Sequence, residues 1–378
     1  MHLTLLTQSL YSQGAEYVVA ALARGFSDAG HRVDVVVSAY HAACAATITD
    51  RKPFDIGKDA RLVRLPGLRA RYNIWALRRY IRQEHPDVVM CHAEPFMPAL
   101  ALANLLLPKS RRTKIVHVEH LSGVGLDAEG NPCNPVQTLG QRITHFLLRK
   151  YDGLFVVSTG TGEAMHRISG FPKDMIFTVF NPAVDAVAEA KMACSPSHTW
   201  LMKKDVPVFV AAGAFCSFKN HMNLIRAFAQ VRARHECRLI IFGSGGLRAS
   251  YEAEIGRLGV KDSVSLPGYT DNLPAEMKAA DAFVVSSNFE SFSIVLVEAL
   301  AAGCPVVSTD APYGPPEILE GGRYGILVRR NDPKALAEGL MRVLAGQTIR
   351  PPREAWERFA IGRIVTRYEQ ALDAVRKR

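Results

Sequence analysis

Short runs of β-branched and apolar residues recur along the first half of the chain, and each is separated from the next by a stretch long enough for a helix. These runs are Leu3–Leu6, Val33–Val37, Asp87–Cys91, Lys114–Val118 and Gly153–Val157. Alternation of this kind is typical of βαβ units, which build a parallel sheet covered by helices. The pattern predicts a doubly wound α/β domain over residues 1–180.

The same pattern starts again after residue 205. The second set of runs is Val206–Gly213, Arg238–Gly243, Val264–Leu266, Ala282–Ser287 and Pro305–Ser308. A chain of 378 residues exceeds the usual size of a single core, so a second domain is expected. We predict a second Rossmann-like domain over residues 206–354. Residues 181–205 contain Asn181-Pro and Ser195-Pro, which indicate a linker and peripheral insertion.

The amino-acid composition agrees with a globular α/β protein and excludes several other classes of protein. Hydrophobic residues make up 48% and charged residues 22% of the chain, which excludes disordered, collagen-like and coiled-coil proteins. The longest apolar stretch, Phe96–Leu107, has 12 residues, against the ~20 needed to cross a bilayer, and predicts a buried helix. The first residues do not resemble an export signal. Seven cysteines occur singly, which argues against disulfides or a zinc site and favours a cytoplasmic protein.

The net charge of +10 is concentrated in one segment. Between Arg61 and Arg82 there are seven arginines and no acid, with aromatic residues interleaved. One interpretation is an amphipathic helix that binds an anionic membrane surface or a substrate at that surface. The other is a solvated arginine face over a packed apolar one. Nucleic-acid binding is not expected, because no recognition motif accompanies the charge. The membrane interpretation assigns contacts to Arg71, Trp75, Arg78, Arg79 and Arg82.

The loop and helix after the strand that ends near Ser286 carry the most informative chemistry. Glu290 lies in the loop, and an apolar run then opens a helix that we expect to begin with Ser291-Phe-Ser-Ile294. The free amide groups and positive dipole end of such a helix start form an anion site, which suits a sugar diphosphate. Glu298 lies eight residues after Glu290 on an apolar stretch, where a carboxylate needs hydrogen-bond donors.

Glu290 and Glu298 match the Glu-x7-Glu motif of the retaining glycosyltransferases of family 4, which the chain strongly resembles. The likeness extends over nearly the whole chain and is densest over 206–345. It implies the GT-B fold, α/β with two Rossmann-like domains that face a central cleft, and a last helix, 355–378, that packs back on the first domain. It also implies a catalytic Glu290 beside the donor sugar. Donor-binding residues implied in this way are Gly14, Lys219, Gly243, Tyr269, Ser291, Phe292, Ser293, Ile294 and Glu298.

Lys219 matches a cation that the family places on the departing diphosphate, and we expect it to be both catalytic and donor-binding. Ala214 stands where the family has an arginine, and the loss of such a charge can cost about 3–4 kcal/mol. His221 and Arg248 are alternative sources of the missing positive charge. Lys219 as a plain surface residue is the competing interpretation.

In the first domain, His120 closes a strand and matches a family histidine that contacts the donor sugar. His117 is the competitor, but strand alternation places it between Val116 and Val118 in the interior. Gly14 follows the first strand and would allow a close approach of the backbone to the donor. An ordinary strand-to-helix turn is the other interpretation of that position.

The function that the resemblance implies is transfer, with retention at the anomeric carbon, of a hexosyl or N-acetylhexosaminyl group from a UDP-sugar. The implied acceptor is a lipid-linked oligosaccharide or a growing surface glycan. We expect no cofactor and no metal ion, because the chain lacks an Asp-x-Asp pair and the nucleotide sugar is itself the substrate. One alternative is a weakened subunit that binds the donor without efficient turnover. Another, an NAD-dependent oxidoreductase, is disfavoured because Arg248 breaks the glycine pattern that begins at Gly243.

Overall fold

The computed structural model of the protein describes residues 1–11, 14–38, 53–66, 73–120, 125–126, 132–133 and 139–378. The chain divides into two compact units. The first contains the described residues of Met1–Gly123, Val136–Pro182 and Ile361–Arg378, and the second those of Val124–Pro135 and Ala183–Ala360.

The first unit contains a seven-stranded sheet among its described residues, with strands in the order β3-β2-β1-β4-β5-β8-β9. All neighbouring strands are parallel. The strands are β1 (His2–Thr7), β2 (Arg32–Ser38), β3 (Arg61–Leu65), β4 (Val88–Cys91), β5 (Lys114–Glu119), β8 (Gly153–Val156) and β9 (Ile176–Thr178). The helices that connect them are α1 (Gly14–Asp28), α2 (Ile74–Glu84), α3 (Met97–Leu105), α4 (Leu139–Leu148) and α5 (Thr159–Ser169).

The second unit contains a six-stranded parallel sheet among its described residues, in the order β12-β11-β10-β13-β14-β15. Its strands are β10 (Val208–Ala212), β11 (Arg238–Phe242), β12 (Val264–Gly268), β13 (Ala282–Val285), β14 (Val306–Thr309) and β15 (Ile326–Val328). Its helices are α6 (Ala186–Met192), α7 (Thr199–Met202), α8 (His221–Arg232), α9 (Arg248–Arg257), α10 (Leu273–Ala279), α11 (Ile294–Ala301), α12 (Gly314–Ile318) and α13 (Pro333–Leu344). An antiparallel pair, β6 (Gly125–Leu126) and β7 (Pro132–Cys133), is grouped with this unit.

These two parallel α/β units confirm the predicted Rossmann-like architecture. All ten predicted runs form strands. Nine of them lie inside a sheet, where a buried strand must be apolar, and the tenth, β12, is an edge strand. Three further strands of the two sheets, β3, β9 and β15, were not predicted. They also lie at sheet edges, where exposure weakens the hydrophobic pattern.

Residues 183–205 form part of the second unit, which differs from the linker expected over 181–205. Helices α6 and α7 lie here and pack beside α10. Glu276 of α10 is completely buried, and its carboxylate accepts hydrogen bonds from the Ser197 amide at 2.8 Å and the His198 amide at 3.4 Å. A buried carboxylate needs such donors, so these bonds hold the segment against the second unit.

The last helix, α14 (Ile361–Arg376), packs on the first unit against α1. The Phe26 and Tyr368 rings meet edge-on with centroids 5.8 Å apart. A side chain at Gly25 would have its Cβ 2.7 Å from Val365 Cγ2, so a larger residue there would force the neighbouring side chains of α14 to move. Residues 355–360, which we expected in the same segment, are grouped with the second unit instead.

The strand order in each sheet determines where a ligand can bind. In the second unit β10 lies between β11 and β13, so the chain changes direction across the sheet next to β10. The first unit has the same arrangement around β1. In open parallel sheets a crevice forms at this switch point, beyond the carboxyl ends of the strands. None of the helices in the described part of the chain has the length and apolar character needed to cross a membrane.

Candidate functional site

An ion pair lies at the switch point of the second unit. Lys219 follows β10 and Glu290 follows β13, the two neighbouring strands at which the sheet order reverses. The Lys219 ammonium donates to Glu290 Oε1 at 2.6 Å, and both side chains are largely buried. Ser287 Oγ donates to the same oxygen at 2.8 Å. The structure thus brings together two residues that lie 71 positions apart in the chain.

The backbone around Glu290 fixes this carboxylate in place. The Glu290 amide donates to the Pro312 carbonyl at 2.8 Å, and its carbonyl accepts from the amides of Tyr313 and Gly314 at 2.6 and 2.8 Å. These bonds tie the loop after β13 to the loop after β14. A Cβ at Gly314 would lie 2.6 Å from Phe292 Cα, so the close approach of the two loops requires glycine.

The loop that carries Lys219 is held by equally specific contacts. Ser286 Oγ donates to the Lys219 carbonyl at 3.0 Å, and the Asn288 amide donates to the Phe218 carbonyl at 2.7 Å. Asn220, at the start of α8, donates from Nδ2 to Asn288 Oδ1 at 2.9 Å. The loops after β10 and β13 therefore form one hydrogen-bonded unit, which positions the backbone on both sides of the ion pair.

Helix α11 begins at Ile294, three residues later than the predicted start at Ser291. Ser291, Phe292 and Ser293 instead form a buried segment before the helix. The Phe292 ring is buried and packs edge-on against Phe359 at 5.4 Å. Within the described residues Ser293 Oγ is buried without a hydrogen-bond partner, and it adjoins the helix start where amide groups have no partner within the helix. These features suit an anion.

Glu298 lies in the second turn of α11. Burial raises the pKa of Glu298 to about 7, the nearby Lys191 lowers it, and Asp185 raises it further. Asp185 caps α6 by accepting from the Ala188 amide at 2.9 Å. Near neutral pH this carboxyl exchanges a proton and can accept or donate a hydrogen bond.

The two alternatives for the arginine missing at position 214 differ in the structure. His221 is buried, and desolvation together with the Lys219 charge lowers its pKa to about 3, so it is neutral at physiological pH. Arg248 donates to the Leu266 carbonyl at 2.9 Å and pairs with Glu252 at 2.8 Å. The Ala214 side chain itself is exposed.

Gly243 has a structural reason to be glycine. Its φ is +141°, and a Cβ there would lie 1.9 Å from the Gly213 carbonyl oxygen. The Phe215 amide also donates to the Ser244 carbonyl at 2.8 Å, so the loops after β10 and β11 cross in direct contact. Tyr269, just after β12, is 53% exposed and presents part of its ring to solvent. Donor contacts from both residues stay predictions.

In the first unit, His120 and a second histidine form a stacked pair at the carboxyl edge of the sheet. His92 directly follows β4 and His120 directly follows β5. Their rings are 5.4 Å apart and 25° from parallel, with His92 Nδ1 3.1 Å from His120 Nε2. Burial lowers the pKa of His120 to about 4 and the pKa of His92 well below its usual range. Sequence reasoning missed His92, although its place after a strand was a usable signal.

His117 is buried, as strand alternation predicts. Its Nε2 lies 3.2 Å from Glu119 Oε2. Burial acts to lower the pKa of His117, but hydrogen bonds to Cys91 and Glu119 outweigh burial and raise the pKa to about 10. The pKa values of His117 and His120 are therefore shifted in opposite directions. Gly14 is the exposed first residue of α1, and the preceding residues 12–13 lie outside the described ranges.

The arginine-rich segment is not one amphipathic helix. Arg61 lies in the edge strand β3, where its guanidinium binds the buried Asp34 carboxylate at 2.6 Å. Burial acts to raise the pKa of Asp34, but hydrogen bonds from Arg61, Tyr80 and His2 lower it to about 2. Arg61 is thus a structural cation.

Helix α2 carries the remaining described part of the segment. Trp75 is 69% exposed, and the Arg78 guanidinium lies 5.9 Å from the centre of its ring. Arg79 and Arg82 are also exposed, so this helix presents aromatic and cationic side chains to solvent. Arg71 lies outside the described residues.

Two family models match the chain in succession. Glycosyltransferase Family 4 matches residues 12–185, and Glycosyl transferases group 1 matches residues 197–363. Together they cover nearly all of both units. The second match contains Lys219, Glu290 and Glu298, and the first contains His92 and His120.

Two curated relatives of stated activity are matched over shorter segments. The chain is 33% identical over 141 residues to the N-acetylgalactosamine-N,N'-diacetylbacillosaminyl-diphospho-undecaprenol 4-alpha-N-acetylgalactosaminyltransferase of Campylobacter jejuni, covering 37% of the chain and 38% of that protein. It is 27% identical over 198 residues to the poly(glycerol-phosphate) alpha-glucosyltransferase of Bacillus subtilis, covering 52% and 28%. The matches thus span well under half the length of either relative.

Among solved structures, Anabaena HepE in complex with UDP and glucose has the same fold. The TM-score is 0.74 at 19% identity, and the likeness covers 99% of this chain and 100% of that one. At this identity the likeness concerns the fold alone.

Proposed function

Since the chain belongs to glycosyltransferase family 4 and has the GT-B fold, we propose that it transfers a sugar from a nucleotide diphosphate sugar to a glycan acceptor. The observation that carries this proposal is the Lys219–Glu290 ion pair at the switch point of the second unit. This ion pair lies at the switch point, where open α/β sheets form the crevice that binds ligands. The start of helix α11 follows Glu290 in the chain.

The proposed reaction depends on stabilising the negative charge of the leaving group. When the bond between the sugar and the diphosphate breaks, negative charge grows on the leaving diphosphate. Lys219 and the amide groups at the start of α11 are positioned before the reaction and can stabilise that charge without reorganisation. Glu290 holds the lysine in place, and by the family motif it would lie beside the donor sugar. We propose no metal ion and no cofactor in this step.

We infer a UDP-sugar as the donor and a hexosyl or N-acetylhexosaminyl group as the transferred sugar. Support comes from HepE, which was solved with UDP and glucose, and from the Campylobacter relative, an N-acetylgalactosaminyltransferase. Retention at the anomeric carbon follows from the family motif of Glu290 and Glu298. Glu298 would accept hydrogen bonds from the ribose hydroxyls.

The proposed acceptor is a lipid-linked oligosaccharide or a growing surface glycan, reached at the cytoplasmic face of a membrane. The Campylobacter relative is named for a diphospho-undecaprenol acceptor, and the long apolar chain of such a molecule anchors it in a bilayer. Trp75, Arg78, Arg79 and Arg82 would then contact anionic lipid. Changing the three arginines together to Gln should reduce sedimentation with anionic vesicles in a salt-dependent way, with donor binding unchanged.

The decisive experiment incubates the purified full chain with a panel of UDP-, GDP- and ADP-sugars and short polyprenyl-diphosphate glycans. Release of nucleoside diphosphate and formation of a new product should occur with a UDP-sugar, both with and without EDTA. The anomeric proton of the product should show retention by NMR. Release only with added manganese or magnesium, or an inverted product, would overturn the corresponding part of the proposal.

A second candidate is a subunit that binds nucleotide sugar without efficient turnover. The observation that favours it is the exposed Ala214 in place of the family arginine, since one stabilising charge on the leaving group is missing. Tight UDP-sugar binding in calorimetry with no product above background would select this candidate.

A further inference from the structure

Helix α4 leaves three large apolar side chains in solvent. Leu139, Ile143 and Phe146 are 73%, 51% and 60% exposed, and their spacing places them along one face of the helix. Leu148 on the opposite face and Leu147 at the side of the stripe are buried in the first unit. The core therefore does not use the outer apolar face, and such a contiguous exposed stripe indicates a partner.

The residues beside this stripe are cationic. Arg142 and Lys150 are exposed, and the Lys150 ammonium lies 5.4 Å from the centre of the Phe146 ring. Residues 139–150 contain no acid. Apolar side chains flanked by cations match the boundary between acyl chains and anionic headgroups.

The neighbouring helices extend the same character. Helix α3 packs between α2 and α4 and contains no charged residue of its own. The exposed side chains that α2, α3 and the residue after α3 add are Trp75, Arg79, Arg82, Leu102, Leu105 and Leu106. The layer of three helices thus presents aromatic, aliphatic and cationic side chains together.

The apolar stripe of α4 begins near the carboxyl ends of the strands in the first unit. Helix α4 follows β5 and precedes β8, so in a parallel sheet it starts beside the carboxyl ends of the strands. His92 and His120 lie at that same edge. A surface bound through Leu139 would bring a membrane-anchored acceptor towards these histidines.

We propose that the outer face of α4 inserts into an anionic bilayer through Leu139, Ile143 and Phe146, while Arg142 and Lys150 bind lipid phosphates. The inference rests on the proposed function, because a lipid-linked acceptor is the reason for the enzyme to bind a membrane. A second copy of the chain is a poorer partner, since two such faces bring cations together with no acid in residues 139–150 to pair them.

The test compares vesicles of phosphatidylglycerol and phosphatidylcholine with vesicles of phosphatidylcholine alone. Wild type should sediment with the anionic vesicles, and Ile143→Asp with Phe146→Asp should weaken that binding at least about tenfold. The matched control is Val187→Asp with Met202→Asp, which changes apolar side chains of the second unit that are 50% and 55% exposed. The control should bind as wild type.

A direct depth measurement avoids dependence on a destabilised variant. The tryptophan introduced by Phe146→Trp should be quenched by lipids with brominated acyl chains, whereas the one introduced by Val187→Trp should add no quenching beyond that of the native tryptophans. Thermal melting of each variant verifies folding. Release of UDP from the donor in lipid-free solution should survive in the α4 variants. Failure of wild type to release nucleoside diphosphate from any donor would count against the proposed function, whereas vesicle binding tests this surface independently of turnover.

Three results would overturn the inference. The first is wild type that ignores anionic vesicles at low salt. The second is an α4 double variant that binds vesicles as tightly as wild type, together with a Phe146→Trp variant whose added tryptophan is not quenched. The third is light scattering that shows a dimer for wild type and a monomer for the α4 double variant, with vesicle binding unaffected, because the stripe would then be a contact between copies.

Discussion

His92 Nδ1 lies 3.1 Å from His120 Nε2, so one imidazole donates a hydrogen bond to the other across two neighbouring strand ends. Both rings are held neutral by burial, which lowers the pKa of each. In a neutral pair only one hydrogen lies between the two nitrogens, and it determines whether His120 Nδ1 is a donor or an acceptor. His92 therefore positions His120 for any contact with the sugar.

Replacing His92 tests this relationship. We expect His92→Phe, which retains the stacked ring, to lower kcat about tenfold with little change in the KM for the donor, since one orienting hydrogen bond is lost. His92→Asn, whose amide can replace Nδ1, should recover part of the rate. Steady-state kinetics decide the matter, and equal rates for the Phe and Asn variants would show that the hydrogen bond is unimportant.

Glu290→Gln should lower turnover far more than it lowers UDP affinity. The substitution keeps the shape and removes the charge beside Lys219, and a loss of about 10²–10³-fold in kcat is expected for one missing electrostatic partner. Ser287→Ala, which removes the other hydrogen bond to Glu290 Oε1, is the milder matched change. Calorimetry with UDP and turnover assays separate the effects, and parallel losses would make Glu290 a structural acid.

Glu298 should make the stability of the protein fall as pH rises. Its folded pKa of about 7 exceeds the ordinary value of 4.5, so between these values the folded carboxyl retains a proton that the unfolded one has lost. The resulting stability is present below pH 4.5 and is lost through pH 7. Glu298→Gln stays neutral, so its Tm relative to wild type should increase from about pH 5 to about pH 8. A constant Tm difference contradicts the assignment.

Substitution of Glu298 should weaken the binding of a ligand that contains ribose and leave the binding of diphosphate alone unchanged. Glu298→Ala should weaken UDP binding roughly ten- to a hundredfold, because hydrogen bonds to a charged group contribute about 1.5–3 kcal/mol. Inorganic diphosphate, which lacks the ribose, is the internal control and should bind as before. If both ligands lose affinity equally, Glu298 supports the loop and not the ribose.

Ala214→Arg tests whether the missing family cation matters. The side chain is exposed on the Lys219 loop, so a guanidinium has room to reach a diphosphate, and we expect at least about tenfold tighter donor binding. Ser217→Arg adds the same charge to the same loop at another exposed position and should have a smaller effect. Titration calorimetry measures both, and no gain from Ala214→Arg means that the present site needs no second cation.

The sequence alone determined the architecture and the chemical identity of the site. Central strands such as β10 and β13 are buried on both faces, so they must be continuous apolar runs, and that pattern is visible without coordinates. Glu290, Glu298 and Lys219 were identified because a carboxylate in an apolar run and a lysine in a loop after a strand match the motifs of a known family. The hydrophobic pattern did not predict edge strand β3, because most of its residues face water.

Only the tertiary structure decided which of these groups meet and how each is charged. Lys219 and Glu290 lie far apart in the chain, and the order of strands around β10 brings them together. The pKa of His117 is raised and that of His120 is lowered, because His117 bonds to Cys91 and Glu119 whereas His120 is buried beside another histidine. The exposure of Phe146 beside the buried Leu147 likewise depends on which face of α4 the core takes up. Pairing, desolvation and exposure depend on distances between residues of different elements. A sequence pattern shows only which residues are neighbours along the chain.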